Sequence, residues 1–89
     1  MATYIVAYDL HKHGQDYAGI INKLKSYGTY WHCQGSVWLI VSSKSAEQVR
    51  DDLLTALDGN DKLVVIKLDR EAAWKGYNKE ISDWLQKNL

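Results

Sequence analysis

The stretch "TYWHCQGSVWLIVS", residues 29–42, holds two runs rich in aromatic and β-branched residues that meet at Gln34-Gly35. Runs of that kind broken by a glycine read as a β-hairpin, with Gly35 available to supply the positive φ of a tight turn or a bulge. What flanks the hairpin decides the fold. On its N-terminal side Tyr17, Ile20, Ile21, Leu24 and Tyr27 recur at helical spacing before Gly28, which predicts a helix from about Asp16 to Tyr27. On its C-terminal side Ser45 and Gln48 make a capping-box pattern, and Ala46, Val49, Leu53, Ala56 and Leu57 then form an apolar stripe that stops near Gly59.

Beyond these helices lie "YIVAYDL" (residues 4–10) and "KLVVIKL" (residues 62–68), nearly continuous apolar runs of the type that forms strands covered on both faces. The order is therefore β-α-β-β-α-β. That is the split βαβ sequence of a ferredoxin-like α+β sandwich: an antiparallel four-stranded sheet with two helices on one face. The stretch "NKEISDWLQKNL" adds an extra C-terminal helix with Ile81, Trp84, Leu85 and Leu89 on one side. The chain reads as a single ferredoxin-like domain over residues 1–89, with the core in 1–69 and a C-terminal extension and helix in 70–89.

Forty-six per cent of the residues are apolar and there is one cysteine, so no disulfide within the chain can supplement a small core. Extra burial is expected from a partner chain, and a homodimer is the simplest form. Eleven basic residues balance eleven acidic ones, so no global positive field draws in polyanions and any phosphate contact must be local. The first residues are strand-like rather than a signal peptide, and no apolar run is long enough to span a bilayer. With a lone Cys33, a cytoplasmic protein without membrane contact is expected.

Two main helices cover one face of the sheet, yet both faces of the second hairpin strand are apolar. Val37, Leu39 and Val41 alternate with Trp38 and Ile40, so a greasy second face needs a cover. A two-fold partner supplies it, with Trp38, Ile40 and Trp84 as expected interface residues; the C-terminal helix folding back is the alternative.

The first strand ends on a carboxylate, Asp9, which the topology brings beside Gln34, Gly35 and Ser36. From spacing alone Asp9 reads as the cap of the "HKHG" turn. One carboxylate is a poor Mg²⁺ site, but a two-fold axis would bring a second Asp9, with Ser36 and Gln34 able to hold a water or a phosphate oxygen. Asp9, His11 and His13 also make a D-x-H-x-H row compatible with a transition metal, although histidines in a polar loop are usually only solvated. Cys33 has no positioned base to make it a nucleophile. Tyr4, Tyr8 and Trp38 suggest base stacking in an RNA-binding module, without the basic-glycine-aromatic signature of such modules. Lys12, Lys23, Lys25 and Lys44 are candidate phosphate contacts.

A hydrophobic strand ending in Tyr-Asp, "IVAYDL", followed by a strand that opens "QGSVW", resembles the small CRISPR-associated Cas2-like adaptation nucleases over residues 3–68. The segment "EAAWKGY" is similar to one in the shorter SinR-like proteins of that superfamily. The resemblance implies a ferredoxin-like homodimer with the first-strand aspartates facing each other across the two-fold axis. It implies divalent-metal-dependent cleavage of RNA or DNA, with Mg²⁺ or Mn²⁺ as cofactor, or a structural role as a bridge in the CRISPR members. By position, Asp9 would be the catalytic metal ligand and Ser36 a supporting residue. Tyr8, Lys12 and Gln34 would meet the substrate. His32 stands where the family motif often has arginine, and Leu39 where it often has an acidic residue. A helix also replaces the C-terminal strand that many CRISPR members add to a partner's sheet, which argues against binding to a CRISPR integrase partner.

Overall fold

A computed structural model describes residues 1–10 and 18–89 of the chain. The elements run β1 (Ala2–Asp9), α1 (Ala18–Lys25), β2 (Tyr30–Gln34), β3 (Val37–Ser42), α2 (Ala46–Leu54), β4 (Lys62–Lys67) and α3 (Lys79–Asn88). The strands form one sheet in the order β2-β3-β1-β4, and every neighbouring pair is antiparallel. This is the ferredoxin-like sandwich expected from the element order, with the most apolar run, β1, at the centre.

Local chemistry explains the element ends. Ser45 caps α2: its Oγ accepts from the Gln48 backbone N–H at 3.1 Å while the Gln48 side chain accepts from the Ser45 N–H at 2.9 Å. Two orphan donors are thereby satisfied, as the sequence pattern predicts. The helix is shorter than its apolar stripe: Ala56 and Leu57 continue it only as tight turns onto Leu53 and Leu54. Likewise α1 stops at Lys25, and Ser26 and Tyr27 form the turn that Gly28 closes with φ +86°. The hairpin carries a bulge between His32 and Gln34, but Gly35 does not adopt a positive φ. Gly35 and Ser36 make the turn without a left-handed glycine, and the bulge shifts the register of the pair beside it.

The helices and one sheet face enclose the core. Tyr4, Val6, Tyr8, Trp38 and Ile40 project from the strands to meet Ile20 and Leu24 of α1 and Val49 and Leu53 of α2. Trp38 and Ile40 are 0% exposed, so they are core residues and not the interface expected of them. Period-two alternation separates two apolar sets, but the side on which the helices land decides which set is buried. At the helix pair, Asp52 accepts hydrogen bonds from Lys23 Nζ at 2.8 Å and Tyr27 Oη at 2.7 Å, with Lys44 Nζ 3.6 Å away. The bond from Lys23, then that from Tyr27, holds the Asp52 carboxyl below the usual range, whereas burial and then Asp52 itself push the Tyr27 phenol up. Lys23 and Lys44 are thus occupied by Asp52 rather than presented to a phosphate.

Val41, Leu39 and Val37 of β3, Thr3, Ile5, Ala7 and Asp9 of β1, and Val64 and Ile66 of β4 form the other face. The extension after β4 returns across part of it. Leu85 is buried, Trp84 lies 6.2 Å from Trp31 of β2, and the Thr3 hydroxyl donates to the Asn88 carbonyl. Trp84, expected at an interface, therefore packs on its own sheet. The half of the face formed by β4 stays open, with Val64 46% and Ile66 52% exposed. Among the described residues no helix is long and apolar enough to cross a membrane.

Candidate functional site

Asp9 is the last residue of β1, and strand alternation decides what surrounds it. Its neighbour Tyr8 points to the helices, so Asp9 must point to the open face. Asp9 is exposed, whereas Tyr8 is buried and its hydroxyl accepts from Trp38 Nε1 at 3.3 Å. The expected substrate contact by the Tyr8 side chain is thus corrected: the three aromatic rings expected to stack bases, Tyr4, Tyr8 and Trp38, are all buried on the helix side of the sheet, where Tyr8 and Trp38 bond to each other. What Tyr8 gives the site is its backbone. Its N–H donates to the Ser36 carbonyl at 3.1 Å, which ties the hairpin turn to the end of β1.

Across the β1–β4 pair, Asp9 stands in register with Lys62. Directly opposite side chains on one face lie within interaction range, so an ammonium group shares the surroundings of this carboxylate. The sequence carries that signal only once the register is fixed. Ala7, Tyr8, Asp9, Lys62, Leu63 and Val64 border a shallow pocket of ≈ 290 Å³ at this end of the sheet. Gln34 shares this face but is engaged away from Asp9: its Nε2 donates to the Tyr77 hydroxyl at 3.1 Å. Lys12, His11 and His13 lie outside the described residues.

Divalent-cation chemistry can be tested against this donor set. Among the described residues no three His, Cys, Asp or Glu side chains come together. Among the described residues Asp9 is the one carboxylate that borders this pocket. This fits Mg²⁺ or Mn²⁺, which is commonly held by one or two carboxylates with waters and substrate phosphate, only as half of a site. The described residues alone do not supply the four protein ligands of a structural zinc site or the three of a catalytic one.

The family profile of the CRISPR-associated protein Cas2 matches residues 1–75, most of the chain and every strand of the sheet. The chain belongs to the Cas2 family. Cas2 proteins are generally metal-dependent nucleases and typically dimeric. No solved structure matches the chain. The Cas2 match ends at residue 75, so the first part of the covering extension lies within it and Tyr77 and α3 lie outside.

Proposed function

We propose that this Cas2-family chain acts as a homodimer that hydrolyses phosphodiester bonds in nucleic acid with the help of a divalent metal ion. The observation that carries the reading is the exposed Asp9, placed at the end of the open sheet face of a chain whose fold and family are those of Cas2. Two copies joined through the uncovered β4 half would bury Val64 and Ile66 and bring both Asp9 carboxylates toward the two-fold axis. Asp9 of each copy would hold the cation, Mg²⁺ or Mn²⁺. When bound, the cation would polarise a phosphodiester and lower the pKa of a water molecule. Ser36 would donate its hydroxyl to a phosphate oxygen, and Lys62 would neutralise charge on the same phosphate. Among Cas2 proteins we place the chain with the SinR-like group on its "EAAWKGY" segment and terminal helix. That helix occupies the place of a partner-pairing strand and argues against integrase binding.

Labelled RNA and DNA incubated with the purified protein test this directly. Cleavage is expected in Mg²⁺ or Mn²⁺ and is lost in EDTA and in Asp9→Ala and Asp9→Asn. Variants that cleave as well as the parent would sink the Asp9 mechanism. One feature favours a second reading, a non-catalytic dimeric scaffold: Lys62, opposite Asp9, can balance the carboxylate without any metal. That reading expects a dimer with no cleavage under any of these conditions.

A further inference from the structure

The segment between β4 and α3 crosses the sheet without regular structure and borders an open cavity of ≈ 420 Å³. That volume lies in the range of small-ligand sites. Its floor is aliphatic, formed by Ile5 of β1 and Leu39 of β3, and its walls are aromatic. Trp31 and Tyr77 meet at 86° with centroids 4.8 Å apart, and Trp74 closes the side, held by an Nε1 hydrogen bond to Ser82 at 3.0 Å. Gly76, with φ +93°, turns the chain between Trp74 and Tyr77 so that both rings face the cavity. The three rings are half-buried, which leaves aromatic surface for a flat ligand.

Polar groups narrow the ligand class. One N–H of the Gln34 carboxamide goes to Tyr77, whose hydroxyl also lies 3.5 Å from Cys33 Sγ. The second Gln34 N–H and its carbonyl oxygen have no partner among the described residues, and such a donor–acceptor pair matches the edge of a nucleobase. Lys75, exposed at the rim, supplies a cation for a phosphate. An aliphatic side chain from another protein would instead leave the second Gln34 N–H and its carbonyl oxygen without partners as it dried the cavity. The cavity also shares its sheet face with Asp9: Ile5 lies four residues back along β1, roughly 13 Å at 3.3 Å per residue.

We infer that this cavity binds the base of a nucleotide, stacked on one ring of the perpendicular Trp31–Tyr77 pair and hydrogen-bonded to Gln34, with Lys75 on the phosphate. The inference deepens the function proposed above and rests on it for nucleic acid as the ligand. It adds a base-holding subsite a few nucleotides from the phosphate at Asp9, built partly from residues beyond the family match.

The four tryptophans give four indole N–H signals, assignable by single Trp→Phe variants. Titrating the ¹⁵N-labelled protein with nucleoside 5′-monophosphates should shift the Trp31 and Trp74 signals saturably and leave Trp38 unmoved. Ribose 5-phosphate should shift none of them. Gln34→Ala, at an exposed position, should keep the thermal midpoint and weaken binding about tenfold, the worth of one or two hydrogen bonds. No shift at millimolar nucleotide, an equal response to ribose 5-phosphate, or unchanged affinity in Gln34→Ala would each overturn the subsite. Measured on the same protein, cleavage without nucleotide binding refutes the subsite alone, and binding without cleavage refutes the hydrolytic reading alone.

Discussion

Replacing Val64 and Ile66 together by threonine should break the proposed dimer and leave the monomer folded. Both residues lie on β4 with about half of their surface open, 46% and 52%. Fully burying a valine or isoleucine is worth about 1.5–3 kcal/mol, so covering the exposed half is worth about 1 kcal/mol per side chain. A two-fold axis doubles the pair, and four side chains give about 4 kcal/mol, which is about a thousandfold in the dimer Kd. Threonine keeps the β-branch that suits a strand, while its hydroxyl is hydrated in the monomer and would lose water in the dimer. Sedimentation equilibrium over a concentration series reads the effect, with thermal unfolding as the check on the fold. An unchanged Kd would place the interface elsewhere. A parent chain that is monomeric throughout would remove the shared Asp9 site altogether.

Further outcomes follow from the same geometry. Lys62→Met should raise Mn²⁺ affinity several-fold by calorimetry, because the ammonium opposite Asp9 competes with a metal for the same carboxylate; unchanged affinity would show that the lysine points away. Asp52→Ala should cost about 1 kcal/mol, since its bonds to Lys23 and Tyr27 are only partly shielded from water. The Asp52 carboxyl is held low in the folded chain, so its contribution is complete above about pH 5 and fades as the pH falls through the ordinary carboxylate range to the lower folded value. Parent and Asp52→Asn unfolding curves should accordingly converge in acid, and a gap that persists there would refute the assignment.

The sequence was most legible where the chemistry is local. Ser45 and Gln48 announced the start of α2 because a capping box needs only four consecutive residues, and the strand order followed from apolar runs separated by helical spacing. The choice of face was not legible. Trp38 and Ile40 differ from Val37 and Leu39 by one step of a period-two pattern, and only the packing of Leu24 and Leu53 against them settles which pair is core. Tyr8 shares the parity of Trp38 and Ile40 and is buried with them. Asp9 sits on the open face for the same reason that Tyr8 does not, so one parity choice determined both. The rings around the cavity were hidden for another reason: Trp74 and Tyr77 occupy a stretch with no periodicity, and Tyr77 meets Cys33 and Gln34 across more than forty residues of chain.

The cover of the second face is joined to the sheet differently from everything beneath it. Tyr77, Trp84, Leu85 and Asn88 hold it by ring contacts, burial and a few side-chain hydrogen bonds, while the strands below are laced by their own ladders. Detaching the cover breaks no ladder bond, so the cover is expected to open at a lower free energy than the sheet and to act as a separate, weaker unit. A base held between the sheet and the cover would touch both units, and its binding energy would be spent in fastening the weaker to the stronger.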